Sequence, residues 1–180
     1  MAESIEIAQI GEPILRNKAK LVTDFEGEFL PKLLDQMLAS MTASGGVGIA
    51  APQIYQSWQV MIIASRPNAR YPDAPQMEPL ELINPTIEKQ YGKVINDWEG
   101  CLSVPGVRGW VPRHDCVDLS YIDRYGGQHK VQLNGFVARI FLHEYDHLIG
   151  YTFVDRVTDP QHIVAQSVLS KIFANQISWP

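Results

Sequence analysis

Five consecutive residues, His143-Glu144-Tyr145-Asp146-His147, constrain this chain more than any other stretch. On an α-helix, positions i and i+4 lie on one face, so the two imidazoles point the same way. Phe136, Ile140 and Leu148 flank them and predict that the helix is buried. Buried imidazoles and a buried carboxylate are costly without partners. A fold containing this helix must therefore bring partners to it from elsewhere in the chain. A shared metal ion would supply them, with His143 and His147 as ligands and Glu144 able to reach a water held there.

Two histidines are too few for a tight site. Downstream, Gly150 stands where longer metalloprotease motifs place a glycine, but the next histidine position is Phe153 and no glutamate follows His147. Asp155, Asp159 and His162 are weaker candidates. Upstream, Cys101 lies in Glu99-Gly100-Cys101-Leu102-Ser103, with Pro105-Gly106 just beyond. A thiolate held in a tight turn is a strong ligand for zinc or ferrous iron. A lone cysteine is more often an inert buried thiol. Cys116 is read that way, because it opens an alternating run with Asp118 and Ser120 beside Val117, Leu119 and Tyr121.

The rest of the sequence bounds the scaffold. A chain of 180 residues suits one compact domain over 1–180, and 46% hydrophobic with 19% charged residues is a globular balance. A net charge of -5 argues against general nucleic-acid binding, which needs clustered Lys and Arg. Two cysteines make a disulfide framework improbable. No secretory signal or stretch of roughly 18 apolar residues is visible, so the expectation is a cytoplasmic protein without a membrane span. Phe29, Leu33, Leu34, Met37, Leu38 and Met41 predict an amphipathic helix over 27–43. Residues 8–22 read as irregular and Pro67–Pro79 as a proline-rich loop. Strands are predicted at Trp58–Ser65, Leu80–Asn84, Thr86–Ile95, Asp115–Asp123 and Gln128–Leu133, the last two joined at Tyr125-Gly126-Gly127. A second helix opens at Asn134 or Gly135 and stops at Gly150. A third starts at Asp159-Pro160, with Val164, Val168 and Ile172 on one face, flanked by Leu169 and Phe173. The class is α+β: antiparallel sheets around a central helix carrying the paired histidines, with an N-terminal and a C-terminal helix.

Three segments in order give a resemblance to a known family. They are Gly46-Val47-Gly48-Ile49-Ala50-Ala51-Pro52-Gln53, then Glu99-Gly100-Cys101-Leu102-Ser103, then His143-Glu144-Tyr145-Asp146-His147-Leu148 with Gly150. Together they resemble the motifs of the peptide deformylases. Flanking segments agree: Gly11-Glu12-Pro13-Ile14-Leu15-Arg16, and Val104-Pro105-Gly106 with Arg108 and Val111-Pro112-Arg113. The resemblance spans roughly residues 5–160. One departure is Leu142, where the family usually has glutamine before the first histidine.

The resemblance implies hydrolysis of the N-formyl group from the initiator methionine of nascent polypeptides. It implies one divalent metal ion on Cys101, His143 and His147, usually ferrous iron, with zinc, nickel or cobalt also suited to the donors. Glu144 would be the general base. The side-chain amide of Gln53 and the backbone N–H of Leu102 would stabilise the oxyanion. Gly46 and Gly48 would let a peptide add as a strand. Val47, Phe136, Ile140 and the face of His143 would wall the methionine pocket, and Arg108 would contact the substrate backbone. Asp146 and Arg113 would pair behind the site. The implied partners are N-formylmethionyl peptides and, given the reaction, the ribosome. Two other readings of the residues remain open here. One is a zinc peptidase that cuts internal bonds. The other is an inactive deformylase-like metal-binding protein.

Overall fold

The computed structural model describes residues 5–67 and 71–174. Helix α1 runs Phe29–Ala43, close to the predicted span, with Pro31 in its first turn, where a missing N–H costs nothing. Ser44 and Gly45 close it, Gly45 at a φ of 64°. The strands are β1 (Gly48–Ala50), β2 (Val60–Ile63), β3 (Leu80–Cys101), β4 (Val104–Ile122), β5 (Gln128–Asn134) and β6 (Ile163–Ala165). Helix α2 is Gly135–Leu148 and α3 is Gln166–Ala174. The strands form one six-stranded antiparallel sheet rather than separate ones, in the order β1-β2-β3-β4-β5 with β6 added to β4. This is an α+β arrangement.

Strand β2 explains its own continuous apolar run. Met61 and Ile63 pack with Ile140, Phe141 and Leu142 of α2. Val60 and Ile62 pack with Leu30, Leu33, Leu34, Met37 and Met41 of α1. The strand is buried on both faces, so alternation is lost. Each such side chain contributes about 1.5–3 kcal/mol on burial. Expected irregularity between residues 8 and 22 is seen as a 3-10 turn, Pro13–Arg16, and one bridge from Lys20 to Trp58.

Two expectations are corrected. The hairpin is much longer than predicted: β3 continues past Ile95 to Cys101, and β4 begins at Val104 rather than near Asp115. Pro105, Gly106, Gly109 and Pro112 give this stretch the composition of a loop. Pairing with β3 overrides it, and the register shifts along the hairpin absorb the irregular residues. The third helix also starts late. Asp159 does cap a turn, accepting from the Gln161 N–H at 2.9 Å, but this is a 3-10 turn, Pro160–His162. Ile163–Ala165 then pairs with Val107–Gly109, because β4 offers a free edge there and Ile163 and Val164 are β-branched. Val164 thus sits in a strand, Val168 is exposed, and Leu169 is the buried residue of α3 among those whose side chains are described. The side chain of Phe173 and residues 68–70 of the proline-rich loop lie outside the described residues.

Candidate metal centre

The hairpin and α2 carry the site between them. Cys101 ends β3, and Leu102 and Ser103 make the turn to Val104. Helix α2 presents Arg139, His143 and His147 in a row four residues apart, with Ile140 and Glu144 in the row beside it. The Cys101 Sγ lies 3.2 Å from His147 Nε2. One ligand atom each from Cys101, His143 and His147 fall within 4.8 Å of one another.

Glu99 fixes the first imidazole. Its carboxylate accepts from Arg113 Nε at 2.8 Å and Nη2 at 2.9 Å, from Arg139 Nη1 at 2.8 Å, and from His143 Nδ1 at 2.9 Å. Burial pushes this carboxyl up, but the Arg113 charge and the bonds from Arg113 and His143 outweigh it and hold it well below the usual carboxylate range. An ionised carboxylate only accepts, so His143 carries its proton on Nδ1 and turns Nε2 toward Cys101. Arg113 also donates to Asp146 at 2.7 Å, the pairing expected from the sequence. Asp146 in turn accepts from Arg156 at 2.6 Å.

The thiol is tuned in the same way. Burial pushes Cys101 up, but the His147 charge and hydrogen bonds with His143 and His147 bring it well below an ordinary thiol. The Ser103 N–H at 3.3 Å and Gln53 Nε2 at 3.5 Å add donors. Burial pushes Glu144 up to about 7 against the opposing pull of His143 and His147. Its Oε2 is buried with no hydrogen-bond partner among the described residues, and so is His147 Nδ1. A low-pKa thiolate, two imidazoles and an unpartnered buried carboxylate oxygen together fit a cation with a water beside it. The donor set suits zinc, ferrous iron, nickel or cobalt.

One cleft is lined by Gly46, Val47, Gly48, Gln53, Cys101 and Leu102 on one side and by Phe136, Ile140, His143 and Glu144 on the other. His147 lies fully buried behind it. Gln53 is oriented from both ends, its Oε1 accepting from the Ala50 N–H at 2.9 Å and its Nε2 donating to Ser103 Oγ at 3.1 Å. Gly48 must lack a side chain, since a Cβ there would stand 2.5 Å from Glu144 Oε1. Arg108 is not in this wall. It packs over Gly100 and donates to Tyr71 Oη at 3.0 Å. Tyr71 does line the cleft, with its ring 4.8 Å from Phe136.

Sequence reasoning missed Tyr71, Trp98 and Arg139 as cleft residues. Arg139 had a usable signal, standing one helical turn before His143. Tyr71 had none, because tertiary folding alone brings the proline-rich loop to α2.

The comparisons agree with the geometry. The family model described as Polypeptide deformylase matches residues 4–162. Peptide deformylase 2 of Nostoc sp. is 50% identical over 155 residues, covering 86% of this chain and 87% of the relative. Peptide deformylase 2 of Shewanella oneidensis is 46% identical over 163 residues, covering 90% of each. The Met-Ala-Ser-bound crystal structure of class I type b peptide deformylase from Acinetobacter baumannii superposes with a TM-score of 0.85 at 43% identity, covering 87% of this chain and 100% of that one. With the three sequence segments gathered around one centre, the match extends from primary structure to fold, and the chain belongs to the polypeptide deformylase family.

Proposed function

We propose that this chain removes the N-formyl group from formyl-methionyl peptides, releasing formate and a free amine. The convergence of Cys101, His143 and His147, with Glu144 and Gln53 in the same cleft, carries the reading. Cys101, His143 and His147 would hold one divalent ion, which supplies Lewis-acid polarisation and a nucleophile at neutral pH. We take ferrous iron as the physiological ion, with zinc, nickel and cobalt as functional substitutes.

The protein groups divide the remaining work. Glu144 takes the proton of the attacking water and returns it to the leaving amine nitrogen. Its value of about 7 suits a group that must do both near neutrality. Gln53 Nε2 and the Leu102 N–H donate to the oxygen that gains charge. Gly46 and Gly48 admit the peptide backbone alongside β1. Val47, Phe136 and Ile140 receive the methionine side chain. Arg108 acts through Tyr71, by holding that ring at the edge of the cleft, rather than on the substrate directly. Nascent chains are the substrate, so we place the reaction in the cytoplasm, close to the ribosome.

Formate release from formyl-Met-Ala-Ser, measured anaerobically with ferrous iron, tests the assignment. Glu144→Ala should abolish it. Wild-type activity no higher than that of the variant would overturn it.

A further inference from the structure

We propose that Arg139 is a positioning residue for the metal: its guanidinium orients the Glu99 carboxylate, which in turn aims the His143 imidazole. This rests on the reading of Cys101, His143 and His147 as metal ligands.

Glu99 takes its hydrogen bonds from three side chains. Arg113 cannot serve this carboxylate alone, because its Nη1 is committed to Asp146 at 2.7 Å and to the Leu142 carbonyl at 3.4 Å. It approaches Glu99 from one side, through Nε and Nη2. That leaves Oε1 with one bond and Oε2 shared between Arg113 and His143. Arg139 adds the second bond to Oε1, at 2.8 Å. With two donors on each oxygen the carboxylate cannot rotate about its last torsion without breaking a charge-assisted bond. Oε2 is thereby kept on the line to His143 Nδ1.

Arg139 is itself fixed. Its Nη1 donates to the Val111 carbonyl of β4 at 3.0 Å, and its Nη2 to the Ile95 carbonyl of β3 at 2.6 Å. It stands four residues before His143 on the same face of α2. One side chain thus spans the helix that carries both imidazoles and the two strands of the hairpin, the first of which ends in the thiol. The side chain is buried, so solvent does not screen these bonds. Arginine suits the task because one planar group can serve a carboxylate and two carbonyls at fixed angles.

The test measures metal affinity rather than turnover. Zinc ion is titrated against a chromophoric chelator for wild type, Arg139→Met, Arg139→Gln and Arg139→Lys, with thermal denaturation of each metal-free protein alongside. Losing a partner in the shell around a ligating histidine weakens metal binding by roughly 10- to 100-fold. Arg139 acts one bond further out, so about tenfold is expected for Arg139→Met and Arg139→Gln. Arg139→Lys keeps a charged donor for Glu99 but not both carbonyl bonds. It should regain most of the affinity while keeping a lowered melting temperature. If Arg139→Met does not fold, Arg139→Gln against Arg139→Lys decides the same question. Equal affinity in all folded variants, with only the melting temperature altered, would make Arg139 a strand clamp and overturn the proposal. Equal weakening in Gln and Lys variants would overturn it too. Failure of the wild type to bind zinc would instead overturn the ligand assignment on which the proposal rests, and is recognisable without any variant.

Discussion

Replacing Gly48 by alanine should disable the enzyme while leaving it folded. The backbone at Gly48 is not in the left-handed region, so alanine meets no conformational barrier there. It would gain about 0.5–1 kcal/mol from a less flexible unfolded chain. Against that, the added methyl would lie 2.5 Å from Glu144 Oε1 and 2.8 Å from Ile140 Cγ2. Overpacking of this kind costs about 1–3 kcal/mol. The net loss of stability is then at most about 2.5 kcal/mol, within what a domain of this size tolerates. The functional cost is larger. To reach an ordinary contact Glu144 must retreat by roughly 0.9 Å, because Ile140 is locked in the core. A displacement near 1 Å of a reacting group costs about 100-fold. The assay is formate release under saturating ferrous iron, with metal content and urea denaturation measured on the same preparation. The expected pattern is kcat down about 100-fold, full metal occupancy and a small shift in midpoint. Activity within threefold of wild type would refute the claim that Glu144 is held in place by the absence of a side chain at Gly48.

Other outcomes follow from the same geometry. Cys101→Ala should abolish stoichiometric metal binding, read by elemental analysis after dialysis; retained metal would remove the thiolate from the ligand set. Glu99→Gln should destabilise the fold by about 3–5 kcal/mol, because three buried arginine and histidine groups lose their anion, and urea denaturation reads this directly. Asp155 titrates below an ordinary aspartate. Its burial works the other way but is outweighed by hydrogen bonds from the Thr152 N–H, the Arg16 guanidinium and the Thr152 hydroxyl. A depressed folded value means its stabilisation is present above the unfolded pKa and lost as pH falls through the folded one. Asp155→Asn should therefore cost a few tenths to about 1 kcal/mol at pH 7, and progressively less as pH falls through the folded value. A constant difference across that range would contradict the linkage. Leu142→Gln places an amide among Ile140, Phe141 and other core residues and should cost about 1–3 kcal/mol, leaving zinc affinity within a few-fold of wild type.

Much of the candidate site was legible in the sequence, for a physical reason. Histidines at helical spacing and a cysteine between glycine and a proline turn are local patterns, and a metal centre would demand those residue types. The two large helices were legible because a 3.6-residue apolar period survives in their sequences. The first half of β4 was not, since Pro105, Gly106, Gly109 and Pro112 obey the register of a long partner strand rather than local preference. The Asp159-Pro160 signal was real but announced a single turn, and the strand after it exists because β4 has an edge to fill. Arg108 was assigned to the substrate from its place in the motif. In the fold it also donates to Tyr71 Oη, a relation no spacing rule encodes.

Helix α2 lies against β1, β2, β4 and β5, and ten of its fourteen residues are buried. Its amides should be among the slowest in the molecule to exchange with deuterated solvent, since releasing them requires opening several layers together. The spacing of the two imidazoles is consequently as durable as the domain itself. An apoprotein that has lost its ion should keep the vacant grip intact and reload without refolding.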